Sequence, residues 1–157
     1  MNKTIKVNPK SKYLSDEFSK LPSNCLFNKG ITGCGGTTLE IEAKRDSIIL
    51  VPNINLVLNK CNVYKNLIGV YGDITESELS SSLQSAVGYK KIIATYDALS
   101  KILNVLKEQA YNYFLLIDEY HILFNSYAFR YKPIKFILDN YYKFKNYCFM
   151  TATPLNE

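Results

Sequence analysis

The sequence predicts an α/β domain built on a parallel β-sheet with helices on both faces, and three observations carry that reading. Short apolar runs alternate with amphipathic stretches along the chain, and no hairpin dipeptide such as Asn-Gly joins two runs. One run also feeds a glycine-rich loop that opens a helical pattern. The composition agrees: 157 residues, 47% hydrophobic and 21% charged, describe one ordinary globular domain spanning 1–157.

Residues 1–10 are polar and expected to be loose. From Ser11 to Leu21, the spacing of Tyr13, Leu14, Phe18 and Leu21 predicts a helix, stopped by Pro22 and Ser23. Cys25-Leu-Phe-Asn28 reads as the first strand, and the helix after the glycine loop is expected to reach about Arg45. Ile48-Ile-Leu-Val51 is a continuous apolar run closed by Pro52, the pattern of a strand buried on both faces. Ile54, Val57, Leu58 and Cys61 give one face of a helix over 54–64, and Leu67 to Tyr71 a strand ended by Gly72-Asp73. Thr75 with Glu78 three residues on forms a capping-box signature for a helix to about Ala86. Lys91-Ile-Ile-Ala-Thr95 follows as a strand. Asp97 to Gln109 reads as one helix, with Leu99, Ile102, Leu103 and Leu106 inward. Phe114 to Ile117 is a strand and 121–126 a short helix. Pro133 suits the first turn of another helix, to about Tyr142, before a last strand from Tyr147 to Met150.

The chemistry concentrates in three stretches. The loop Gly30-Ile-Thr-Gly-Cys-Gly-Gly-Thr-Thr38 stands between strand and helix, where Gly30, Gly33, Gly35 and Gly36 let main-chain N–H groups approach an anion. Thr32 and Cys34 lie within it, and Thr37 and Thr38 open a helix whose N-terminus favours negative charge. The spacing fits the phosphate-loop pattern G-x-x-x-x-G-K-[ST] except that Gly36 replaces the lysine. Taken alone, such a loop also fits a flexible turn. Asp118 and Glu119 close the strand Phe114-Leu-Leu-Ile. They read either as solvated charges at a sheet edge or as a working pair, the first holding Mg²⁺ with the Thr37 hydroxyl, the second activating water. Met150-Thr-Ala-Thr-Pro154 is the third stretch. In a parallel α/β sheet all three follow strand C-termini, and ligands bind along that edge.

In this order, GITGCGGTT, LLIDEYH and TATP, the chain resembles the first RecA-like domain of superfamily 2 helicases, the DEAD/DEAH-box group in the broad sense, over nearly its whole length. The resemblance implies a RecA-like phosphate-loop NTPase fold and an ATP-dependent helicase or translocase activity. ATP would be held by Gly30 to Thr38, Mg²⁺ by Thr37 and Asp118, and hydrolysis would fall to Asp118 and Glu119. His121, Thr151 and Thr153 would couple ATP state to nucleic acid. Weaker matches put nucleic-acid contacts at Pro52 and Asn53, Gly72 and Asp73, and Thr95 and Tyr96. It also implies partners: DNA or RNA, and a second RecA-like domain in cis or trans that supplies arginine fingers.

Departures from the pattern shape the expectations. Gly36 removes the cation that reaches the β- and γ-phosphates. Lys29 directly precedes the loop and could substitute, although a residue before the first glycine is expected to point along the strand. No glutamine occurs before Gln84, so the adenine-reading motif of the DEAD-box subgroup is missing, and the 157 residues carry no counterpart of the second domain. A rival reading is a degenerate module that binds nucleic acid or a partner without hydrolysis. A small phosphate-loop kinase fits less well, given Thr-Ala-Thr-Pro and no lid-like arginine cluster.

The remaining features bound the setting. A net charge of +5 is compatible with nucleic acid. Arg130, Lys132, Lys135, Lys143 and Lys145 interleave with Tyr131, Phe136, Tyr141, Tyr142 and Phe144, which fits either strand binding by stacking or an amphipathic helix with a solvated basic face. The four cysteines form no CxxC pair and suit a reducing compartment, the cytoplasm. No signal-peptide core or membrane-length apolar run is present, so no membrane association is expected.

Overall fold

A computed structural model describes residues 2–125 and 128–153. Its centre is a six-stranded, all-parallel sheet in the order β1-β6-β5-β2-β4-β3. The strands are β1 (Cys25–Asn28), β2 (Ser47–Val51), β3 (Leu67–Val70), β4 (Lys91–Thr95), β5 (Phe114–Asp118) and β6 (Asn146–Thr151). The middle strands β2, β4 and β5 are buried at every position, as their unbroken apolar runs require.

Among the described residues six α-helices flank the sheet: α1 (Gly36–Glu42), α2 (Ile54–Val63), α3 (Glu76–Ser85), α4 (Leu99–Leu106), α5 (His121–Asn125) and α6 (Tyr131–Asn140). Side chains alternate across a strand, so β2 feeds two cores. Ile49 and Val51 join Ile93 and Leu116 under Leu39 and Ile41 of α1 and Val57 of α2. Ile48 and Leu50 join Ile92, Leu115 and Ile117 under α3, α4 and α6, through Leu79, Leu99, Ile102, Ile134 and Ile137. The Thr75–Glu78 capping box forms as expected, each side chain bonding the other's main-chain amide. Among the described residues no helix is long and apolar enough to cross a membrane.

Several expected boundaries are corrected. Residues 11–21 do not form a helix; only a 3-10 turn, Leu14–Asp16, appears. The Asp16 carboxylate accepts the amides of Lys12 and Tyr13, and the Leu14 amide is spent on the Cys34 carbonyl, so an α-helical ladder cannot form there. The helix after the glycine loop stops at Glu42, with Ala43 already extended. The stretch 97–109 is divided: a 3-10 turn at Tyr96–Ala98 precedes α4, and Lys107, at φ 50°, ends it before a 3-10 segment to Asn112. Ser126, the expected end of α5, lies outside the described residues.

The basic and aromatic interleaving resolves into an amphipathic element. Ile134 and Ile137 of α6 and Phe144 are buried, and Tyr141 packs edge-on against Tyr147 and Phe149, so most of these aromatics face the core.

Candidate functional site

The C-terminal ends of all six strands lie along one edge of the sheet, because the strands are parallel. β6 sits between β1 and β5, so the glycine loop after β1, Thr151 at the end of β6 and Asp118 at the end of β5 are neighbours despite their separation in sequence. Gly35, with φ 80°, is the left-handed residue that turns the chain into α1, a conformation that glycine adopts without a steric penalty. The first turn of α1 carries Thr37, whose Oγ1 donates to Asp118 Oδ2 at 2.5 Å.

Lys29 is the residue whose place the sequence pattern misjudged. Its amide donates to the Thr151 carbonyl, adding a rung to the β1–β6 pairing beyond Asn28. It shares a strand face with Cys25 and Phe27, the face that α1 covers. Its side chain does not run along the strand. The ammonium lies 2.8 Å from Glu119 Oε1 and 3.5 Å from Asp118 Oδ1, with only 7% of the side chain exposed. Burial works against that charge, but Asp118 and Glu119 outweigh it and hold the ammonium above its ordinary pKa. Strand alternation gives the face on which Lys29 lies, but only the order β1-β6-β5 brings Asp118 and Glu119 within its reach.

Glu119 stands at φ 54°, a left-handed conformation unusual for a side chain of this size. Several hydrogen bonds hold the local chain. The Tyr96 hydroxyl donates to the main-chain carbonyls of Asp118 and Glu119, the Tyr120 amide donates to the Met150 carbonyl, and the Glu119 amide donates to Asp118 Oδ1. Both carboxylate oxygens of Glu119 are engaged: Oε1 by Lys29, and Oε2 by the Thr151 hydroxyl at 3.4 Å with His121 Nδ1 at 3.3 Å. His121 Nδ1 and Thr151 Oγ1 lie 2.7 Å apart, and Thr151 Oγ1 also accepts the Thr153 amide. The three expected coupling residues thus form one hydrogen-bonded set with Glu119. Pro154 lies outside the described residues.

The loop residues divide by use. The Gly30 amide is taken by Asn28 Oδ1 and the Ile31 amide by the Lys29 carbonyl, so neither is open to an anion. Cys34 is buried, and its carbonyl holds Leu14. Thr38 Oγ1 accepts from Lys60 of α2 at 3.0 Å. Thr32 and Gly33 are exposed. Gly36 is buried, and a Cβ placed there would stand 2.6 Å from Met150 Sδ and 2.7 Å from its methyl carbon.

The six residues expected to touch nucleic acid lie at the ends of β2, β3 and β4, on the half of the edge away from the loop. Asn53, Gly72 and Asp73 are exposed there. Thr95 and Tyr96 are buried, so neither presents a side chain to a strand on this surface; Tyr96 turns inward to the Asp118 and Glu119 carbonyls instead. Pro52 is also buried, its carbonyl accepting from Arg130 at 3.1 Å. The side chain of Asn53 caps α2 through the Leu56 amide.

One carboxylate beside one hydroxyl suits Mg²⁺, which keeps several waters and takes few protein ligands. Among the described residues no group of three or more His, Cys, Asp or Glu side chains offers an all-protein metal cage. The arrangement can hold a hydrated cation at Thr37 and Asp118 and keep Glu119 oriented as a base. No family model matches the sequence, and no curated protein matches it.

Proposed function

We propose that the chain is an ATP-binding, RecA-like domain of the superfamily 2 helicase type that couples nucleotide hydrolysis to DNA or RNA binding with a second such domain. The observation that carries this reading is the direct contact of the Thr37 hydroxyl with the Asp118 carboxylate, 81 residues apart in sequence. In phosphate-loop NTPases a loop threonine and a strand-end aspartate hold the same Mg²⁺, and here the two groups are already side by side. The glycine loop lies on one side of the contact, and the Glu119–His121–Thr151 set lies on the other.

Residues 32–38 hold the phosphates through main-chain amides, including those of the first turn of α1, which have no partner within the helix. Thr37 and Asp118 would hold Mg²⁺, which would supply positive charge to the phosphates. Glu119 orients the attacking water and accepts its proton. Thr151 and His121 keep the Glu119 carboxylate aimed, and any shift in that carboxylate reaches Thr153 through the Thr151 hydroxyl. Gly36 favours a second reading, a module that binds nucleotide or nucleic acid without turning ATP over, because Met150 fills the place where a lysine stem would begin.

Calorimetric titration with Mg-ATP beside a phosphate-release assay tests the first reading and separates it from the second. Binding that is lost in Asp118→Asn, with slow release rising on addition of nucleic acid and a partner domain, is the expected result. The arginine fingers of such a partner are worth roughly 10³–10⁵ in rate, so the isolated chain should turn over negligibly. Binding unaffected by Asp118→Asn would overturn the site assignment.

A further inference from the structure

We propose that Lys29 supplies, from outside the glycine loop, the cation that position 36 cannot provide, its ammonium passing from Asp118 and Glu119 to the terminal phosphate oxygens when a nucleoside triphosphate binds. The inference rests on the reading of this edge as a triphosphate site. It concerns how the chain compensates for Gly36.

Two features of the molecule fit together. The first is a closed position: Met150, itself fully buried, occupies the volume next to Gly36. A side chain at 36 would have to displace it. The second is a lysine where lysines are rarely found. A Lys side chain ordinarily keeps its head in water, yet Lys29 is almost wholly buried with its ammonium between the two carboxylates. Its main chain is anchored by the Thr151 carbonyl, so only the side chain is free to swing. The Asp118 carboxylate that it approaches is also the one bonded by Thr37, so cation, hydroxyl and carboxylate already converge on one point. The four-carbon stem of a lysine lets the head move a few ångströms without backbone change.

A purely structural ion pair and a phosphate ligand predict opposite signs. If Lys29 only neutralises Asp118 and Glu119, its ammonium competes with Mg²⁺, and removing it should tighten Mg-nucleotide binding. If it transfers to the phosphates, removing it weakens the triphosphate and leaves a monophosphate alone.

The experiment measures affinities of fluorescent N-methylanthraniloyl ATP and AMP, with Mg²⁺, for the wild-type chain, Lys29→Met, Glu119→Gln and the double variant Lys29→Met/Glu119→Gln. The double variant removes one charge of each sign and guards against misfolding from two unpaired carboxylates. The expected result is a loss of about tenfold or more in ATP affinity, the size of a charge-assisted hydrogen bond, for Lys29→Met against wild type. The double variant should show the same loss against Glu119→Gln, with AMP affinity unchanged in both comparisons. ATP affinity that stays level or rises on removing Lys29 would overturn the inference while leaving the site reading intact. Wild-type and Glu119→Gln chains that bind ATP no better than AMP would overturn the triphosphate reading and this inference with it.

Discussion

The Tyr96 hydroxyl donates to the main-chain carbonyl of Asp118 at 2.5 Å and to that of Glu119 at 3.2 Å. A buried phenol therefore ties the end of β4 to the strained turn that carries both carboxylates. Burial, with help from Asp118 and Glu119, pushes its pKa up, so the folded chain keeps the phenol proton above pH 10 while the unfolded chain loses it. The Tyr96 contribution is thus complete at neutral pH and falls as pH rises past about 10. Tyr96→Phe removes the donor to the Asp118 carbonyl, while the Glu119 carbonyl keeps the Ile122 amide at 2.9 Å, and should destabilise the chain by about 1–3 kcal/mol. Urea unfolding at pH 7 measures it. An unchanged midpoint would mean that the turn at Glu119 is held by other contacts.

The central strands were legible because β2, β4 and β5 are continuous apolar runs between turn residues, and Thr75 with Glu78 marked the start of α3. The amino-terminal stretch was misjudged for a physical reason. Leu14, Phe18 and Leu21 do pack into the core, so their spacing reported burial, but the backbone hydrogen bonds go to Asp16 and Cys34 instead of a helix. Thr37 and Asp118 could be paired from the motifs alone. Lys29 and Tyr96 could not be assigned, because each acts by pointing across the sheet at a residue that only the strand order makes a neighbour. Glu40 shows the same limit. Nothing in its pattern separates it from Glu42, yet Glu42 is exposed and Glu40 is fully buried against Arg45, Ser47 and Lys91.

That second charged cluster lies at the opposite end of the sheet from the candidate site and gives a pH prediction. Lys91 donates to the Glu40 carbonyl at 2.8 Å and to Ser47 Oγ at 3.0 Å, and burial pushes its pKa down to about 8 against the attraction of Glu40. The unfolded chain keeps this proton to about pH 10.4. Between these values the unfolded state binds more protons, so stability rises with pH. Buried Tyr96 and Tyr113, both raised, reverse the trend near pH 10, which leaves a window of about pH 8–10. Wild type should gain about 1–2 kcal/mol over Lys91→Met between pH 7.5 and 9.5. Urea unfolding at the two pH values checks it, and parallel behaviour of the two proteins would count against a depressed Lys91.

Asn53 separates a structural role from a binding role. Its side chain caps α2 at 3.1 Å from the Leu56 amide, so Asn53→Ala should lose about 1 kcal/mol. Asn53→Asp keeps the cap and adds a negative charge on the exposed edge. If this edge meets a nucleic-acid backbone, Asn53→Asp should melt like wild type yet bind a labelled single strand more weakly. Binding by wild type should be sequence-independent, roughly 10⁻⁶–10⁻⁴ M, and steeply salt-dependent. Fluorescence anisotropy at two salt concentrations measures both properties. Equal binding by the two proteins, or binding insensitive to salt, would place nucleic acid elsewhere.

Gly36 and Met150 share one volume, and that changes what restoring the loop lysine should do. In a single Gly36→Lys the first carbon would stand 2.6 Å from Met150 Sδ, so the buried Met150 side chain must shift before the lysine can be seated. Gly36→Ala alone should cost about 1–3 kcal/mol by overpacking. Met150→Ala alone should cost about 2–5 kcal/mol by leaving a cavity. Combined, the new methyl enters the vacated space, so the double variant should be more stable than the sum of the two losses by at least about 1 kcal/mol. Urea unfolding of the four proteins gives that coupling directly, and strict additivity would show that the two residues do not compete. With the space opened, Gly36→Lys/Met150→Ala can carry a loop lysine toward the phosphates. Calorimetry should then find tighter Mg-ATP binding than in Met150→Ala alone if residues 30–38 have phosphate-loop geometry. The gain should shrink while Lys29 is present, since two ammonium groups would compete for the same oxygens, and grow in the background of Lys29→Met.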